Sequence, residues 1–434
     1  METELTRIAE VARKRPQERF TSLAHLINET TLRDCHRKMK ANKALGIDKV
    51  SKEEYEQNLT ENLRELVEQM KRQAYKPQPV KRAYIPKPGT SKKRPLGILA
   101  YQDKLVQAVM ARILTAIYEA DFLDCSYGFR PGRNCHDALK ELTRTIETRR
   151  INYIVDADIK GFFDHVNHEW MLKFIGHRIA DPNIRRLIAR FLKAGVMENG
   201  VKQNIIEGTP QGGNISPILA NIYLHYVLDL WFTRIVKKWC RGEAYLIRYC
   251  DDFVCCFEYE EEAKAFYGAL KGRLGKFNLE IAEDKTRIIA FGRNATKKSD
   301  KRKPDTFDFL GFTHYCGKSK QGYFRVKRKT SRKKYQASIL RCKEWIKRNR
   351  HMPVKELMKA LRIKLIGYYR YYGITDNSNA LYRYGRAVNK LLFKWLNRRS
   401  QRKSFEWDKF EKLLAKYPLP PPRIYVNIYE RKPC

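Results

Sequence analysis

The chain has 434 residues, and its 88 Lys and Arg residues against 48 Asp and Glu residues give a formal charge of +40. A hydrophobic fraction of 43% argues against a globally disordered chain, and no apolar run approaches the length of a membrane span. The charge favours a nucleic-acid partner, because Lys and Arg bind phosphates with release of counterions. Solubility is the alternative reason for such an excess.

The positive charge is concentrated towards the C-terminus. Residues 293–434 contain 39 basic and 10 acidic residues, a net charge of +29, which leaves +11 for the first 292 residues. We therefore expect nucleic-acid binding to be strongest in the last third of the chain.

The first half of the chain is predicted to be mainly helical. Residues 1–50 form a basic helical region, and Ser51-x-x-Glu54 is a capping box for a helix that ends before Pro77. A strand over 80–86 then leads into a basic loop. The next predicted elements are a helix over 103–119, a helix from about 134 and a strand over 152–158.

The second half begins with a glycine-rich turn at 208–213 and an apolar helix from 215 to about 231. A hairpin at 245–257 follows it. The remaining predicted elements are a helix over about 260–276, a strand pair near 279–291, a linker over 297–304, a hairpin over 307–326, and helices near 331–349, 354–371 and 378–398.

The most informative segment is the tetrapeptide Tyr249-Cys-Asp-Asp252. It lies between two β-type runs, so we expect two carboxylates at the tip of a hairpin. Adjacent acids repel each other, which suggests a nearby cation. Upstream, Asp158 ends an apolar strand, and acids on a strand and on a hairpin are the parts needed for two-metal phosphoryl transfer. An Asp-Asp pair that only favours a turn is the simpler alternative.

Further motifs accompany the acid hairpin in a fixed order. They are Ile85-Pro-Lys87 with Arg94-Pro-Leu-Gly97, Tyr127-Gly-Phe-Arg130, Ala157-Asp-Ile-Lys-Gly-Phe-Phe-Asp164, Gly208-Thr-Pro-Gln-Gly212 with Ser216-Pro217, Tyr249-Cys-Asp-Asp252, Asn278-Leu-Glu280 with Lys285-Thr286, and Phe309-Leu-Gly311. Together they resemble the reverse transcriptase blocks of bacterial group II intron-encoded proteins. The later segment Gly367-Tyr-Tyr-Arg-Tyr-Tyr372 is similar to the thumb or maturase element of those proteins.

The resemblance implies an α+β fold with the architecture of a right-hand polymerase. We expect fingers, a palm with an antiparallel sheet, a helical thumb, and a basic, mainly helical C-terminal region. The implied boundaries are an N-terminal helical extension over 1–50, fingers and palm over 51–300, a thumb or maturase region over 301–375, and a nucleic-acid-binding region over 376–434.

The resemblance also implies a catalytic metal site. Asp158, Asp251 and Asp252 would be the catalytic carboxylates, and the backbone carbonyl of Ile159 would join them in holding two Mg²⁺ ions, with Mn²⁺ as a substitute. The nearby acids Asp156 and Asp164 are interpreted as tuning the local charge or capping a helix.

Five residues are expected to bind the incoming dNTP: Lys87, Arg94, Phe163, Gln211 and Lys285. In the family, residues such as Lys87 and Arg94 grip the triphosphate, and Phe163 matches the steric gate that excludes a ribose 2′-hydroxyl. A core position beside Phe162 is the alternative for Phe163. Lys285 is interpreted as a general acid or a phosphate contact.

Two residues depart from the family pattern. Cys250 stands where the hairpin usually has Ala, and Tyr368 stands where Trp is expected. Since the side chain at 250 would contact the primer end or the dNTP, the change bears on fidelity or activity. It also raises the alternative of an enzyme recruited by its host.

The function implied by the resemblance is that of an RNA-directed DNA polymerase of group II intron type. It would extend a DNA or RNA primer by two-metal nucleotidyl transfer and would bind intron RNA as a splicing maturase. One alternative is a non-catalytic RNA-binding maturase, against which the intact Asp158, Asp251 and Asp252 argue. The other is a host-recruited polymerase in DNA repair or antiphage defence.

The expected partners are an RNA template, a primer with nascent DNA, dNTPs and structured group II intron RNA, with no membrane. The N-terminus is acidic and polar, which is unlike a signal peptide. The ten cysteines form no Cys-x-x-Cys pair, so neither a zinc site nor a disulfide framework is indicated. We therefore expect a bacterial cytosolic or nucleoid location. The sequence does not indicate an oligomeric state.

Overall fold

The computed structural model describes residues 2–86, 93–198, 200–203, 207–209, 212–295, 304–399 and 405–429. These parts of the chain combine many helices with three small sheets, which confirms the α+β prediction. Across the same parts, no helix combines the length and apolar character needed to cross a bilayer.

The helices carry the larger share of the described residues. Their bounds are α1 Glu2–Lys14, α2 Glu29–Lys38, α3 Lys52–Gln57, α4 Leu59–Lys71, α5 Tyr101–Tyr118, α6 Cys135–Thr148, α7 His168–Gly176, α8 Pro182–Leu192, α9 Ser216–Leu224, α10 Lys237–Trp239, α11 Glu260–Gly275, α12 Arg332–Asn349, α13 Val354–Tyr372, α14 Ser378–Leu396 and α15 Trp407–Lys416. Short 3₁₀ turns occur at Ala24–Leu26 and Phe162–Asp164.

The strands form two sheets of four strands and one of three. Their bounds are β1 Val80–Pro86, β2 Lys93–Ile98, β3 Tyr153–Ala157, β4 Val196–Glu198, β5 Val201–Gln203, β6 Ala244–Tyr249, β7 Asp252–Phe257, β8 Arg287–Ala290, β9 Phe307–Phe309, β10 Phe312–Lys318 and β11 Phe324–Thr330. The strand orders are β2-β1-β4-β5, β6-β7-β3-β8 and β11-β10-β9.

The chain divides into two compact units. The first contains the described residues of Met1–Lys87, Lys92–Cys135 and Ile154–Ile288, and the second those of His136–Tyr153 and Ile289–Cys434. Each unit therefore draws on segments that are distant in sequence.

Helix α5 forms the centre of the first unit's core. Its buried residues include Leu105, Val109 and Ile113, each at most 1% exposed, and α1, α2 and α9 pack against it. A helix buried on most of its surface carries apolar residues on several faces rather than on one stripe, as α5 does.

The capping box predicted at Ser51 and Glu54 is confirmed. The Ser51 side chain accepts a hydrogen bond from the Glu54 N–H at 3.1 Å, and the Glu54 carboxylate accepts one from the Ser51 N–H at 2.7 Å. The single helix expected after it is interrupted at Asn58, so α3 and α4 are separate elements.

The apolar helix expected from residue 215 is present but is irregular beyond its first turns. It starts at Ser216 with Pro217 in its first turn, where a missing N–H costs nothing. Beyond Leu224 the backbone takes π-helical geometry at His225–Asp229 and again at Phe232–Val236. Such bulges turn side chains off the regular helical face. The first bulge contains Asp229.

The second unit contains the three-stranded sheet and helices α12–α14. The turn between β9 and β10 is Leu310-Gly311, and both residues have positive φ angles, 48° and 82°. Two-residue hairpin loops require such angles, so this turn accounts for the Phe309-Leu-Gly311 motif. Helices α12 and α14 pack together, as do α13 and α14.

The aromatic residues of α13 and α14 mostly belong to the core. Tyr369, Tyr372 and Tyr384 are buried, and the rings of Tyr368 and Tyr384 stack with centroids 3.6 Å apart. Tyr382 is the exception, with 56% of its surface exposed. It is therefore the aromatic residue of this group that solvent or nucleic acid can reach.

Candidate active site

The hairpin predicted around the acid pair is confirmed. Tyr249 and Asp252 are paired at the ends of β6 and β7, and Cys250 and Asp251 form the two-residue loop between them. Cys250 has a φ of 60°, the left-handed conformation that costs a residue with a Cβ atom about 1–2 kcal/mol. Asp251 is half-buried and Asp252 is exposed. Both acids thus occupy the tip of the hairpin, where a ligand has access to them.

Asp158 immediately follows β3, the strand that lies beside β7 in the sheet. The segment after it forms a short bridge to residues 280–282. The Ala282 N–H donates to the Asp158 carbonyl, and the Lys160 N–H donates to the Glu280 carbonyl, both at 2.8 Å. In this antiparallel pattern the N–H and C=O of the intervening Ile159 point away from the paired segment. The Ile159 carbonyl therefore faces away from residues 280–282.

Lys285 connects the two acidic motifs. Its ammonium forms an ion pair with the carboxylate of Asp158, whose side chain is 29% exposed. The hydrogen bond to Asp158 raises the pKa of Lys285, and the charges of Asp158, Asp284 and Asp252 add to that effect. Asp158 follows β3 and Asp252 begins β7, and these two strands are neighbours in the sheet.

The oxygen atoms at this edge suit a hard divalent cation. Among the residues that the structure describes, no three His, Cys, Asp or Glu side chains form a ready-made metal cage. Mg²⁺ does not need one, because it is usually held by one or two carboxylates together with substrate phosphates. Asp158 already attracts a cationic group, the Lys285 ammonium, and Asp251 and Asp252 are adjacent at the hairpin tip. This donor set fits Mg²⁺.

Phe163 lies in the 3₁₀ turn Phe162–Asp164 that follows the Asp158 strand. Its neighbour Phe162 is 2% exposed and belongs to the core, whereas Phe163 is half-buried and meets the Phe162 ring edge-to-face at 5.3 Å. The Phe163 carbonyl accepts a hydrogen bond from the Thr209 N–H at 2.8 Å. Phe162 therefore lies in the core, and the adjacent Phe163 lies at the boundary of the core. Asp164, next in the turn, is exposed.

Two glycines of the Gly208–Gly213 turn contact protein backbone. A Cβ atom on Gly208, whose φ is 92°, would lie 2.7 Å from the Asp164 carbonyl oxygen. One on Gly212, whose φ is 116°, would lie 2.6 Å from the Gly97 carbonyl oxygen. The close neighbour of Gly212 is therefore strand β2.

The remaining predicted dNTP contacts are only partly described. Arg94 is exposed on β2, opposite Ile85 of β1. Lys87 and Gln211 lie outside the described residues. The structure thus brings together Asp158 and Lys285, and it places the acid hairpin on the strand beside β3.

Sequence reasoning missed one residue of the hairpin, Arg248. Its charged side chain is 0% exposed within an otherwise apolar strand. The guanidinium forms an ion pair with Asp229 at 2.6 Å. A charged residue inside a run such as Tyr245-Leu-Ile-Arg248 was the available signal, because a buried Arg requires a partner.

Comparison with known families gives two matches on this chain. The model of the family described as reverse transcriptase (RNA-dependent DNA polymerase) matches residues 85–314, more than half of the chain. That of the group II intron, maturase-specific domain matches residues 335–413. The first match includes every candidate catalytic residue.

Individual relatives point the same way. The group II intron-encoded protein LtrA of Lactococcus lactis subsp. cremoris is 44% identical over 42% of this chain, and the alignment spans 30% of LtrA. Protein YkfC of Escherichia coli strain K12 is 33% identical over 65% of this chain and 78% of its own length. An uncharacterized 91 kDa protein in a cob intron of Schizosaccharomyces pombe is 34% identical over 46% of this chain and 24% of its own. The chain therefore belongs to the reverse transcriptase family, in the group II intron branch that carries a maturase-specific domain.

Proposed function

We propose that this chain is an RNA-directed DNA polymerase that extends a DNA or RNA primer with dNTPs on an RNA template. One observation carries the proposal: Asp158, paired with Lys285, directly follows β3, and the neighbouring strand β7 begins at Asp252 of the acid hairpin. A strand acid and a hairpin acid pair at one edge are what a two-metal nucleotidyl transferase requires.

The carboxylates of Asp158, Asp251 and Asp252 and the carbonyl of Ile159 would hold two Mg²⁺ ions. Bound there, the ions would activate the primer 3′-hydroxyl and stabilise the negative charge on the triphosphate and on the leaving pyrophosphate. The primer oxygen forms a bond to the α-phosphorus as the bond to pyrophosphate breaks. The protein's own contribution is to hold these groups in line, since little covalent chemistry is left to it.

The remaining predicted residues act on the dNTP. The guanidinium of Arg94 and the ammonium of Lys87 bind triphosphate oxygens, and Gln211 contacts the nascent pair. Lys285 leaves Asp158 as the substrate enters, and its ammonium then contacts phosphate or protonates the leaving group. Phe163 fills the space that a ribose 2′-hydroxyl would take, which selects dNTP over rNTP.

The corresponding architecture is a right-hand polymerase. We assign residues 1–50 to an N-terminal extension, 51–300 to fingers and palm, 301–375 to the thumb or maturase region, and 376–434 to a basic nucleic-acid-binding region. The family match over 85–314 supports the presence of fingers and palm in this part of the chain, and the bounds of the other regions rest on the resemblance. Such an enzyme would act beside nucleic acid in a bacterial cytosol.

A second activity, binding of group II intron RNA as a splicing maturase, has support of its own. The maturase-specific match covers residues 335–413, within the segment 293–434 whose net charge is +29. Polyphosphate binding by such a segment does not require the acid hairpin. The same chain would therefore use different residues for splicing and for DNA synthesis.

The test is primer extension on an RNA template with dNTPs and Mg²⁺, run beside splicing of a group II intron RNA. The proposal predicts template-dependent extension that Asp251→Asn abolishes, and splicing that Asp251→Asn leaves intact. Splicing without any extension by the unaltered chain would favour the non-catalytic maturase.

A further inference from the structure

Arg248 occupies an unusual position one residue before the hairpin tip. Its side chain is 0% exposed, and it makes five hydrogen bonds, which equals the number of N–H donors on a guanidinium. The five bonds are Nε to Asp229 Oδ1 at 2.7 Å, Nη2 to Asp229 Oδ2 at 2.6 Å, Nη2 to Ser126 Oγ at 2.8 Å, Nη1 to Asn221 Oδ1 at 3.0 Å and Nη1 to the Cys250 carbonyl oxygen at 2.9 Å.

These bonds divide into two groups with different roles. Asp229 takes two bonds through both carboxylate oxygens and neutralises the guanidinium. Nη1 instead reaches the carbonyl of Cys250, inside the two-residue loop. Stability alone is a weak reason for such an arrangement, because apolar residues often replace a buried ion pair without loss. The bond to the loop is the feature that apolar residues cannot reproduce.

Asn221 makes a second, indirect connection to the loop. Its Oδ1 accepts from Arg248 Nη1, and its Nδ2 donates to the Gly128 carbonyl at 2.7 Å. Gly128 in turn abuts the loop, since a Cβ atom there would lie 2.5 Å from the backbone nitrogen of Cys250. Asn221, on helix α9, thus links the guanidinium to the segment that packs against the strained residue.

Backbone hydrogen bonds also hold the end of β6 in place. The Arg248 N–H donates to the Cys125 carbonyl at 2.8 Å, and the Tyr127 N–H donates to the Arg248 carbonyl at 2.9 Å. The segment 125–128 therefore runs beside the end of β6, with Ser126 paired to Arg248 in an isolated parallel bridge. Backbone and side-chain hydrogen bonds therefore hold the hairpin as far as Cys250, the residue that precedes Asp251.

We propose that Arg248, with Asp229 and Asn221, is a positioning residue for the acid hairpin. The group holds Cys250 in its left-handed conformation and so sets the direction of Asp251 and Asp252. It acts through the Cys250 backbone and touches neither substrate nor template. The catalytic consequence rests on the proposed polymerase function, whereas the effect on the loop does not.

The test removes the connection that Asn221 makes to the loop, and it keeps both the ion pair and the bond from Arg248 to the Cys250 carbonyl. Asn221→Ala deletes the bonds to Arg248 Nη1 and to Gly128 and leaves both bonds to Asp229 in place. The matched control is Tyr223→Phe on the same helix, a buried side chain that loses its hydrogen bond to the Phe277 carbonyl at 2.8 Å. Both variants remove buried polar contacts, but only the first reaches the hairpin.

Two measurements are made on both variants of the full chain. In Asn221→Ala, we expect kcat for single-nucleotide addition to fall about tenfold or more while KM for dNTP stays within about threefold. Hydrogen exchange of the peptide that spans 247–253 should become faster by about tenfold, and the control should change neither quantity. Equal changes in both variants, or none in Asn221→Ala, would overturn the proposal. Should Asn221→Ala not fold, Asn221→Ser replaces it, since a serine hydroxyl is too short to bridge both groups.

A double-mutant cycle tests whether the effect passes through Cys250. Glycine adopts positive φ at little cost, so in a Cys250→Gly background the loss caused by Asn221→Ala should shrink by about threefold or more. Losses that are the same in both backgrounds would show that the group does not act through this residue. If the unaltered chain extends no primer, the polymerase proposal fails, and hydrogen exchange of the loop still decides this one.

Discussion

The ammonium of Lys285 forms an ion pair with the carboxylate of Asp158, although the two residues are separated by 127 positions in the chain. The pair joins the strand β3 motif to the segment that precedes β8. A lysine in this position neutralises a carboxylate at the end of the strand that lies beside the acid hairpin. If the chain has the proposed function, we expect Lys285 to exchange Asp158 for phosphate oxygens once a nucleotide is bound, because both partners are anionic oxygens.

We predict that Lys285→Ala lowers kcat for nucleotide addition by about 100-fold, the usual contribution of one proton donor or charge contact in a transition state. KM for the primer–template should change little, because Lys285 is one cation among many. Single-turnover extension measures both. The control is Lys271→Ala, which breaks an exposed ion pair with Glu283 in the same region. A similar loss in the control would mean that the effect is general charge removal.

Asp251→Asn should abolish DNA synthesis and leave RNA affinity within about threefold, because binding is spread over many basic contacts. The substitution removes the negative charge and one oxygen of a carboxylate at the hairpin tip. The control is Asp124→Asn, which neutralises an acid whose side chain is 96% exposed. Substantial extension by Asp251→Asn at ordinary Mg²⁺ concentration would contradict the assignment of this residue.

Phe163→Val should raise the ratio of kcat/KM for rNTP to that for dNTP by about tenfold or more, since the shorter side chain leaves room for the 2′-hydroxyl. The adjacent Phe162 provides the control, because it is 2% exposed and belongs to the core. Phe162→Leu should lower the melting temperature without changing the ratio. If Phe163→Val behaves like Phe162→Leu, then Phe163 is a core residue and the gate lies elsewhere.

The sequence predicted features whose signals are local. The hairpin tip at Tyr249–Asp252 follows from apolar runs on both sides, and α12–α14 start and end within about two residues of the predicted bounds. The prediction of a strand pair near 279–291 was wrong in part. Residues 287–290 form β8, but residue 281 makes only an isolated bridge to Ile159.

What the sequence could not predict depends on partners that are distant along the chain. Arg248 meets Ser126 and Asn221, and no local pattern reports such pairs. The π-helical turns after Leu224 were missed because a uniformly apolar run looks the same in α and π geometry. Helix α15, Trp407–Lys416, was missed as well.

The basic helices of the second unit allow a direct test of the charge argument. Replacing Lys343, Lys359 and Arg386 by Gln, one exposed residue on each of α12–α14, should flatten the salt dependence of RNA–DNA duplex binding. Each lost phosphate contact reduces the log–log slope by about 0.9 on a B-form duplex, and a similar reduction is expected here. The control removes three exposed lysines of the first unit, Lys71, Lys264 and Lys276. Equal slopes for the two triple variants would mean that the charge of the second unit serves solubility.

His314 should make the second unit sensitive to acid. It is 0% exposed, and its ring stacks on Phe307 with centroids 4.9 Å apart. Burial, with the nearby Arg328 guanidinium, lowers the pKa of His314 to about 3, so the folded state keeps the ring neutral. The unfolded chain takes up a proton below a pH of about 6.5. Since the unfolded state then binds more protons, stability falls as the pH drops from that value towards the folded pKa.

Below a pH of about 6.5, the free energy of unfolding should fall by about 1.4 kcal/mol per pH unit. At a pH of about 5 the fall amounts to about 2 kcal/mol. His314→Gln should remove this part of the acid sensitivity, so its melting temperature should fall less between neutral pH and pH of about 5 than that of the unaltered chain. The control is His351→Gln, at an exposed position, which should follow the unaltered chain. Other buried groups contribute equally to all three proteins and cancel in the comparison. An unchanged pH dependence in His314→Gln would mean that the ring is protonated in the folded state, and that Arg328 and the aromatic stack tolerate the second charge.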